Sequence, residues 1–219
     1  MVKRHPENPN LHLHYLDSFN GLPVMSEHSP MVTEYLGALY SVFQHALSDY
    51  KRIFAFRVDP VLPTEDNERM TAEDHKKLIE DFLKSFRSII KCDYQRKRKF
   101  GWVPETKVRH VWCRETYQDG KLHYHFLFIL NQAAYNTVGN PCSPHENLAN
   151  RISRAWHSAL GLEWARGQPS IHVPGQPLYY IDRDNIESLH GAFHRASYMC
   201  KSDTKRYGDG MRSFGSSRN

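Results

Sequence analysis

The residues best suited to chemistry in this chain are His123 and His125, one position apart in the run Leu122 to Leu130 (LHYHFLFIL). A strand sends residues i and i+2 to the same face, so both imidazoles point one way from a stiff element. That is what a metal site asks of its first two ligands. The spacing alone is a weak signal: with 14 histidines in 219 residues, a His-x-His triplet arises about once by chance. A second one stands at His12-Leu13-His14, among Pro6, Asn8, Pro9 and Asn10, with no apolar run behind it. The first is followed by Phe126, Leu127, Phe128, Ile129 and Leu130, apolar on both alternating sets like a central strand.

A third ligand candidate comes from the segment before. Lys107 to Tyr117 (KVRHVWCRETY) is rich in β-branched and aromatic residues and reads as a strand, with Gln118-Asp119-Gly120-Lys121 as the turn into the next. A two-residue loop on Asp119-Gly120 pairs Gln118 with Lys121 and sets Glu115 on the face away from the histidines. A three-residue loop pairs Tyr117 with Lys121. Glu115 then lies opposite His123, and Cys113 opposite His125. The second register is favoured here because it gathers one carboxylate and two imidazoles on one face. Against it stands the plain reading of a solvated strand carboxylate beside two packing histidines.

A second constellation lies near the C-terminus. On a helix at about 100° per residue, Leu189, Ala192, Phe193, Ala196, Met199 and Cys200 form one apolar sector, while His190, His194, Tyr198 and Lys201 fall opposite. Tyr198 and Lys201 are three residues apart, hence neighbours. A tyrosine hydroxyl has a pKa near 10 and attacks poorly at neutral pH. A nearby ammonium and a divalent cation both favour the phenolate. A metal that polarises a phosphodiester and a tyrosine that attacks it are complementary parts. The bland alternative is an amphipathic helix whose polar side holds a tyrosine.

The elements that must position these groups follow from the pattern. Residues 1–30, rich in Pro, Asn and His, read as an irregular N-terminal arm. Val32, Tyr35, Leu36, Leu39, Val42, Phe43, Ala46 and Leu47 predict a helix over about 31–50. RIFAFRV (52–58) is a short strand ended by Asp59-Pro60. Thr71-x-x-Asp74 resembles a capping box before the amphipathic run Leu78 to Ile90. The hairpin follows. Ser143-Pro144-x-Glu146 is expected to open a helix that ends before Gly161. Extended pieces are expected around 171–173 and 178–181, and a last helix over about 185–203. The fold class expected is α+β, with a largely antiparallel sheet of about five strands flanked by helices.

The composition fits one domain: 40% hydrophobic residues in 219. A net charge of +5 favours an anionic partner. The cations cluster at Arg96-Lys97-Arg98-Lys99 and again at Lys201, Lys205, Arg206, Arg212 and Arg218, the latter interleaved with Tyr207 and Phe214. Four scattered cysteines without a CxxC point to free thiols in a reducing, cytoplasmic setting. No apolar run is long enough to span a bilayer, and no GxxxxGK[ST] loop signals a helicase.

His123-Tyr124-His125 in a strand, with Tyr198-Met199-Cys200-Lys201 downstream on a helix, resembles the HUH endonuclease superfamily of rolling-circle initiators, relaxases and single-strand transposases. Asn20-Gly21-Leu22-Pro23, Arg114-Glu115 and the terminal Met211 to Arg218 run (MRSFGSSR) make it look closest to inovirus Gp2-like replication initiators of the YagK/YfjJ C-terminal domain type. The resemblance implies an HUH/Rep-like nickase domain over 31–219 with a ferredoxin- or RRM-like topology. It implies Tyr198 as nucleophile, Lys201 as its charge-stabilising partner, and Glu115, His123 and His125 as ligands of Mg²⁺ or Mn²⁺, two imidazoles suiting Mn²⁺ slightly better. Arg114, Lys205, Arg206, Arg212 and Arg218 are the expected DNA contacts. The implied activity is site-specific nicking that starts rolling-circle replication of a phage, prophage or mobile element through a 5′-phosphotyrosine. Melted origin DNA, a host helicase and a host polymerase are the implied partners. Only one tyrosine occupies the motif, where many relatives carry a pair. A transposase, a relaxase, a nicking anti-phage effector and a non-catalytic DNA-binding protein remain alternatives.

Overall fold

The computed structural model of the protein describes residues 3–63, 70–116, 121–175 and 178–218. The turn expected at Gln118-Asp119-Gly120 lies outside them. Short strands open the chain: β1 (Lys3–Arg4), β2 (His12–His14), β3 (Ser18–Phe19), β4 (Leu22–Pro23) and β5 (Met31–Val32). Strands β1, β2 and β5 form a small antiparallel sheet, and β3 pairs β4. The β3–β4 turn is Asn20-Gly21, both at positive φ (49° and 78°), as a two-residue hairpin that matches strand twist requires. Residues 3–30 are thus packed rather than trailing. Leu22, Val24 and Met25 are buried in the main core, and the Met25 amide donates to Ser197 Oγ at 2.9 Å.

The main body alternates helix and strand in the expected order. It comprises α1 (Thr33–Asp49), β6 (Arg52–Pro60), α2 (Ala72–Arg98), β7 (Arg109–Thr116), β8 (Leu122–Asn131), α3 (Leu148–Leu160), β9 (Ile171–His172), β10 (Leu178–Asp182), α4 (Glu187–Ser197) and β11 (Phe214–Ser216). The Thr71–Asp74 capping box forms as expected and starts α2. The start of α3 differs: Asn147, not Ser143, caps it by accepting from the Asn150 amide, and Gly161 closes it at φ 70°. The last helix is shorter than expected. It ends at Ser197, and Tyr198–Cys200 tighten into a 3-10 turn. Strand β11 had no signal, because FGS is too short to show a period.

The strands form one antiparallel sheet in the order β10-β6-β8-β7-β11, with β9 on the end of β6. Its two faces carry separate cores. Ile53, Ala55, Val111, Cys113, Leu127 and Ile129, all odd-numbered, meet α1 and α4. Phe54, Phe56, Phe126 and Phe128, all even, meet α2 and α3. In that second core Phe82 packs edge-on against Phe126 and Trp156 at 5.0 and 5.1 Å between ring centroids. Each fully buried phenylalanine of this kind stabilises the fold by roughly 1.5–3 kcal/mol. Tight packing on both faces is what makes β7 and β8 a rigid base for the polar groups at their ends.

Candidate functional site

Pairing between β7 and β8 follows the three-residue register: Glu115 lies opposite His123 and Cys113 opposite His125. Parity then sends Glu115 and His125 to the face covered by α1 and α4. The neighbouring strand β6 pairs Arg57 with Leu127 and Val58 with Phe126. One step further, Asp59 comes beside His125. The sequence reading passed over Arg57 and Asp59. Their signal was two charged residues spaced i, i+2 at the end of an otherwise apolar strand.

Asp59 Oδ1 lies 2.9 Å from His125 Nδ1, and Arg57 clamps the same carboxylate through Nε and Nη2 at 2.9 and 3.0 Å. Burial alone would raise the Asp59 carboxyl, but His125 and Arg57 outweigh it and hold it below the usual range. Arg57 Nη2 also lies 2.8 Å from Nδ1, so a guanidinium that can only donate and a carboxylate that can only accept meet at the same ring nitrogen. A carboxylate beside one ring nitrogen is the second-layer arrangement that orients metal-binding imidazoles, and it turns His125 Nε2 toward Glu115.

Glu115 is fully buried. Its Oε1 accepts from Lys205 Nζ at 2.8 Å, and Oε2 stands 3.3 Å from Lys201 Nζ and 3.4 Å from His125 Nε2. Burial pushes this carboxyl up, yet His125 and the Lys205 ammonium hold it well below the usual carboxylate range. Glu115 Oε2 and His125 Nε2 are both buried and lack a hydrogen-bond partner. Two inward-facing acceptors of this kind fit a shared cation, since ligand bonds of about 2.0–2.2 Å to one ion can span the gap between them. His123 completes the expected trio only in register. Its side chain is exposed, and among the described residues no three His, Cys, Asp or Glu side chains cluster at ion distance.

Tyr198 arrives from the layer that covers this face. The Lys201 ammonium donates to its hydroxyl at 2.6 Å and sits 3.9 Å from its ring centroid. Arg57 lies 5.5 Å from the same ring, and His28 meets it edge-on at 4.8 Å. Helical projection put Lys201 on the polar side. It is instead 4% exposed, because the 3-10 turn at Tyr198–Cys200 rotates the next residue inward and Met31 bridges it. Burial would lower the Lys201 ammonium, but its bond to Tyr198 and the Glu115 carboxylate raise it overall. A continuous polar chain therefore links the hydroxyl of Tyr198 to Lys201, Glu115, His125 and Asp59. Glu115 and His125 of the first constellation thus meet Tyr198 and Lys201 of the second, while the His123 side chain stays exposed.

The expected DNA contacts divide. Arg206, Arg212 and Arg218 are not buried. Arg114 and Lys205 are interior: Arg114 pairs with Asp209 at 2.8 and 3.1 Å, and Lys205 with Glu115. A cation so buried and neutralised does not face a polyanion, so these two hold the fold together instead. Two other tyrosines are already engaged: Tyr207 shares a hydrogen bond with Tyr35 at 3.1 Å, and Tyr180 donates to the Asn136 carbonyl at 2.9 Å.

The YagK/YfjJ C-terminal domain family matches residues 15–217. Among its relatives, Escherichia coli K12 YfjJ is 29% identical over 203 residues, which is 88% of this chain and 98% of YfjJ. YagK of the same strain is 27% identical over 199 residues, 87% of this chain and 95% of YagK. Both are described as uncharacterized proteins. No solved structure matches the chain.

Proposed function

We propose that this chain, which belongs to the YagK/YfjJ C-terminal domain family, is a metal-dependent, single-tyrosine DNA nickase of the HUH type. The observation that carries the reading is the 2.6 Å contact between Lys201 Nζ and the Tyr198 hydroxyl, beside Glu115 Oε2 and His125 Nε2, two buried atoms that make no hydrogen bond and lie 3.4 Å apart. A nucleophile with a charge-stabilising neighbour adjoins a buried carboxylate and imidazole, groups of the kind that hold a cation.

His125 and Glu115 would hold the divalent ion, and His123 stands at the register position opposite Glu115. The bound ion supplies Lewis-acid polarisation of a phosphodiester. Asp59 and Arg57 would hold the His125 ring in place, with Nε2 turned toward Glu115. Lys201 would stabilise charge that develops on the Tyr198 oxygen and the phosphate as the bond forms. Attack of Tyr198 Oη on phosphorus forms a phosphotyrosine ester and breaks the bond to the 3′ oxygen, which takes up a proton and leaves as a free 3′-hydroxyl. Rolling-circle initiation on a phage, prophage or mobile element uses such an end as a polymerase primer. Strand rejoining between two sites would instead mark a transposase or relaxase role.

A second reading has one observation in its favour. Lys201 and Lys205 already neutralise Glu115, as a purely structural ion cluster would. Incubation with single-stranded oligonucleotides and Mn²⁺, resolved on a denaturing gel, separates the two. The nickase reading expects a covalent protein–DNA band that EDTA removes and Tyr198→Phe abolishes. No band with the native protein, or an undiminished band with Tyr198→Phe, overturns it.

A further inference from the structure

The basic run Arg96-Lys97-Arg98-Lys99 has no part in the site above. It ends α2 on the other side of the sheet, and its residues divide. Arg96 and Lys97 fold back onto the buried carboxylate of Asp93 at 2.7 and 2.8 Å. Arg98 and Lys99 do not. With Arg87, Lys91 and Lys107 they line a groove of about 620 Å³ whose one acidic wall residue is Glu105. Arg87 also belongs to a second groove of about 850 Å³, walled by Trp112, Arg212 and Arg218, with Glu73 and Glu80 along α2. The shared arginine joins the two along α2 and the β7–β11 edge. Trp112 faces this groove while Cys113 and Glu115 face the Tyr198 layer, so the groove lies on the reverse of the sheet.

Among the described residues, Arg87, Lys91, Arg98, Lys99, Arg212 and Arg218 make no ion pair. Unpaired cations gathered in a concavity focus an attractive field for a polyanion. In the chain between the groove residues Lys99 and Glu105, Phe100 and Trp102 stand 89% and 87% exposed. Rings left that open in a protein with two well-filled cores are placed for an outside partner. A cationic track whose flanking segment carries two open aromatic faces matches one chemistry: phosphates along the track and unpaired bases stacked on the rings.

We propose that this groove binds single-stranded nucleic acid independently of the Tyr198 site. The test uses Tyr198→Phe protein in EDTA, so no covalent step contributes, and reads fluorescence anisotropy of a labelled oligothymidylate. The substitutions fall on exposed side chains without ion-pair partners, and a thermal melt confirms the fold. Lys91→Gln, Arg98→Gln and Lys99→Gln together are expected to weaken binding tenfold or more. They should also lower the slope of log K against log salt by about 2, at about 0.7 for each phosphate no longer neutralised. Phe100→Ala with Trp102→Ala is expected to weaken binding at least tenfold with the slope unchanged. Unaltered affinity and slope in both variants overturns the proposal. So does a duplex of equal length that competes as well as the single strand, because paired bases offer no faces to the rings.

Discussion

The Lys201 ammonium reaches the Tyr198 hydroxyl at 2.6 Å from inside the protein, and Glu115 lies behind it at 3.3 Å. The lysine is therefore held from two sides. Lys201→Met should leave Glu115 paired with Lys205 and the fold nearly intact, yet slow covalent adduct formation by roughly 100-fold, the loss expected for one preorganised charge-stabilising donor. Single-turnover gel assays measure the rate. Adduct formation at the native rate would show that Lys201 only packs.

Lys205 has a different task. Its side chain is fully buried against Glu115, and removing one member of a buried ion pair costs about 3–5 kcal/mol. Lys205→Met should lower stability by that order in urea unfolding. Lys205→Met combined with Glu115→Gln should recover part of the loss, since the stranded charge is gone. A double variant no more stable than the single would refute the pairing account.

Asp59→Asn tests the orientation of His125. The amide brings no negative charge to the imidazole, and it breaks the bidentate ion pair with Arg57. Loss of such a partner typically weakens metal binding 10- to 100-fold. Titration with Mn²⁺ by calorimetry should show a shift of that size, and EDTA should erase the heat in both proteins.

Acid sensitivity should trace partly to Asp93, far from the site. Burial would raise its carboxyl, but Lys97, Tyr135, Arg151 and Arg96 outweigh it and bring it from the ordinary 3.8 to about 2. A depressed carboxyl contributes stability that is fully present above its unfolded pKa. That contribution is lost as pH falls from about 4 to 2. Asp93→Asn should flatten the acid limb of the stability curve in this window and lower neutral-pH stability by roughly 2–3 kcal/mol.

Gly215 sits in β11 where a Cβ would stand 2.5 and 2.6 Å from the Trp112 indole. A rigid ring offers little give at that range. Gly215→Ala should force Trp112 or β11 outward, lower the melting temperature, and raise hydrogen exchange at the Arg114 and Ser217 amides, which donate to the Ser213 and His110 carbonyls across the two strands. An unshifted melt would mean the ring moves freely.

Much of the site was legible because it rests on periods. Alternation in β8 and spacing across Glu115, His123 and His125 carried the register, and the apolar stripe from Leu189 to Cys200 carried the last helix. What stayed hidden depended on contacts across the sheet. Nothing local tells that Arg57 and Asp59 meet His125 from a strand 68 residues earlier in the chain. The inward turn of Lys201 escaped helical projection because the helix tightens just before it. Lys205 and Arg114 looked like exposed cations because their partners, Glu115 and Asp209, lie some 90 and 95 residues away.

Strand β7 hands Cys113 and Glu115 to one layer and Trp112 and Arg114 to the other. Deleting a single residue from it would swap those two sets, thrusting an arginine and an indole at the tyrosine and a carboxylate at the cationic trough. Losing two neighbours together would shorten the strand yet return every survivor to its own side. Length variation in this strand among related chains should therefore come in even steps.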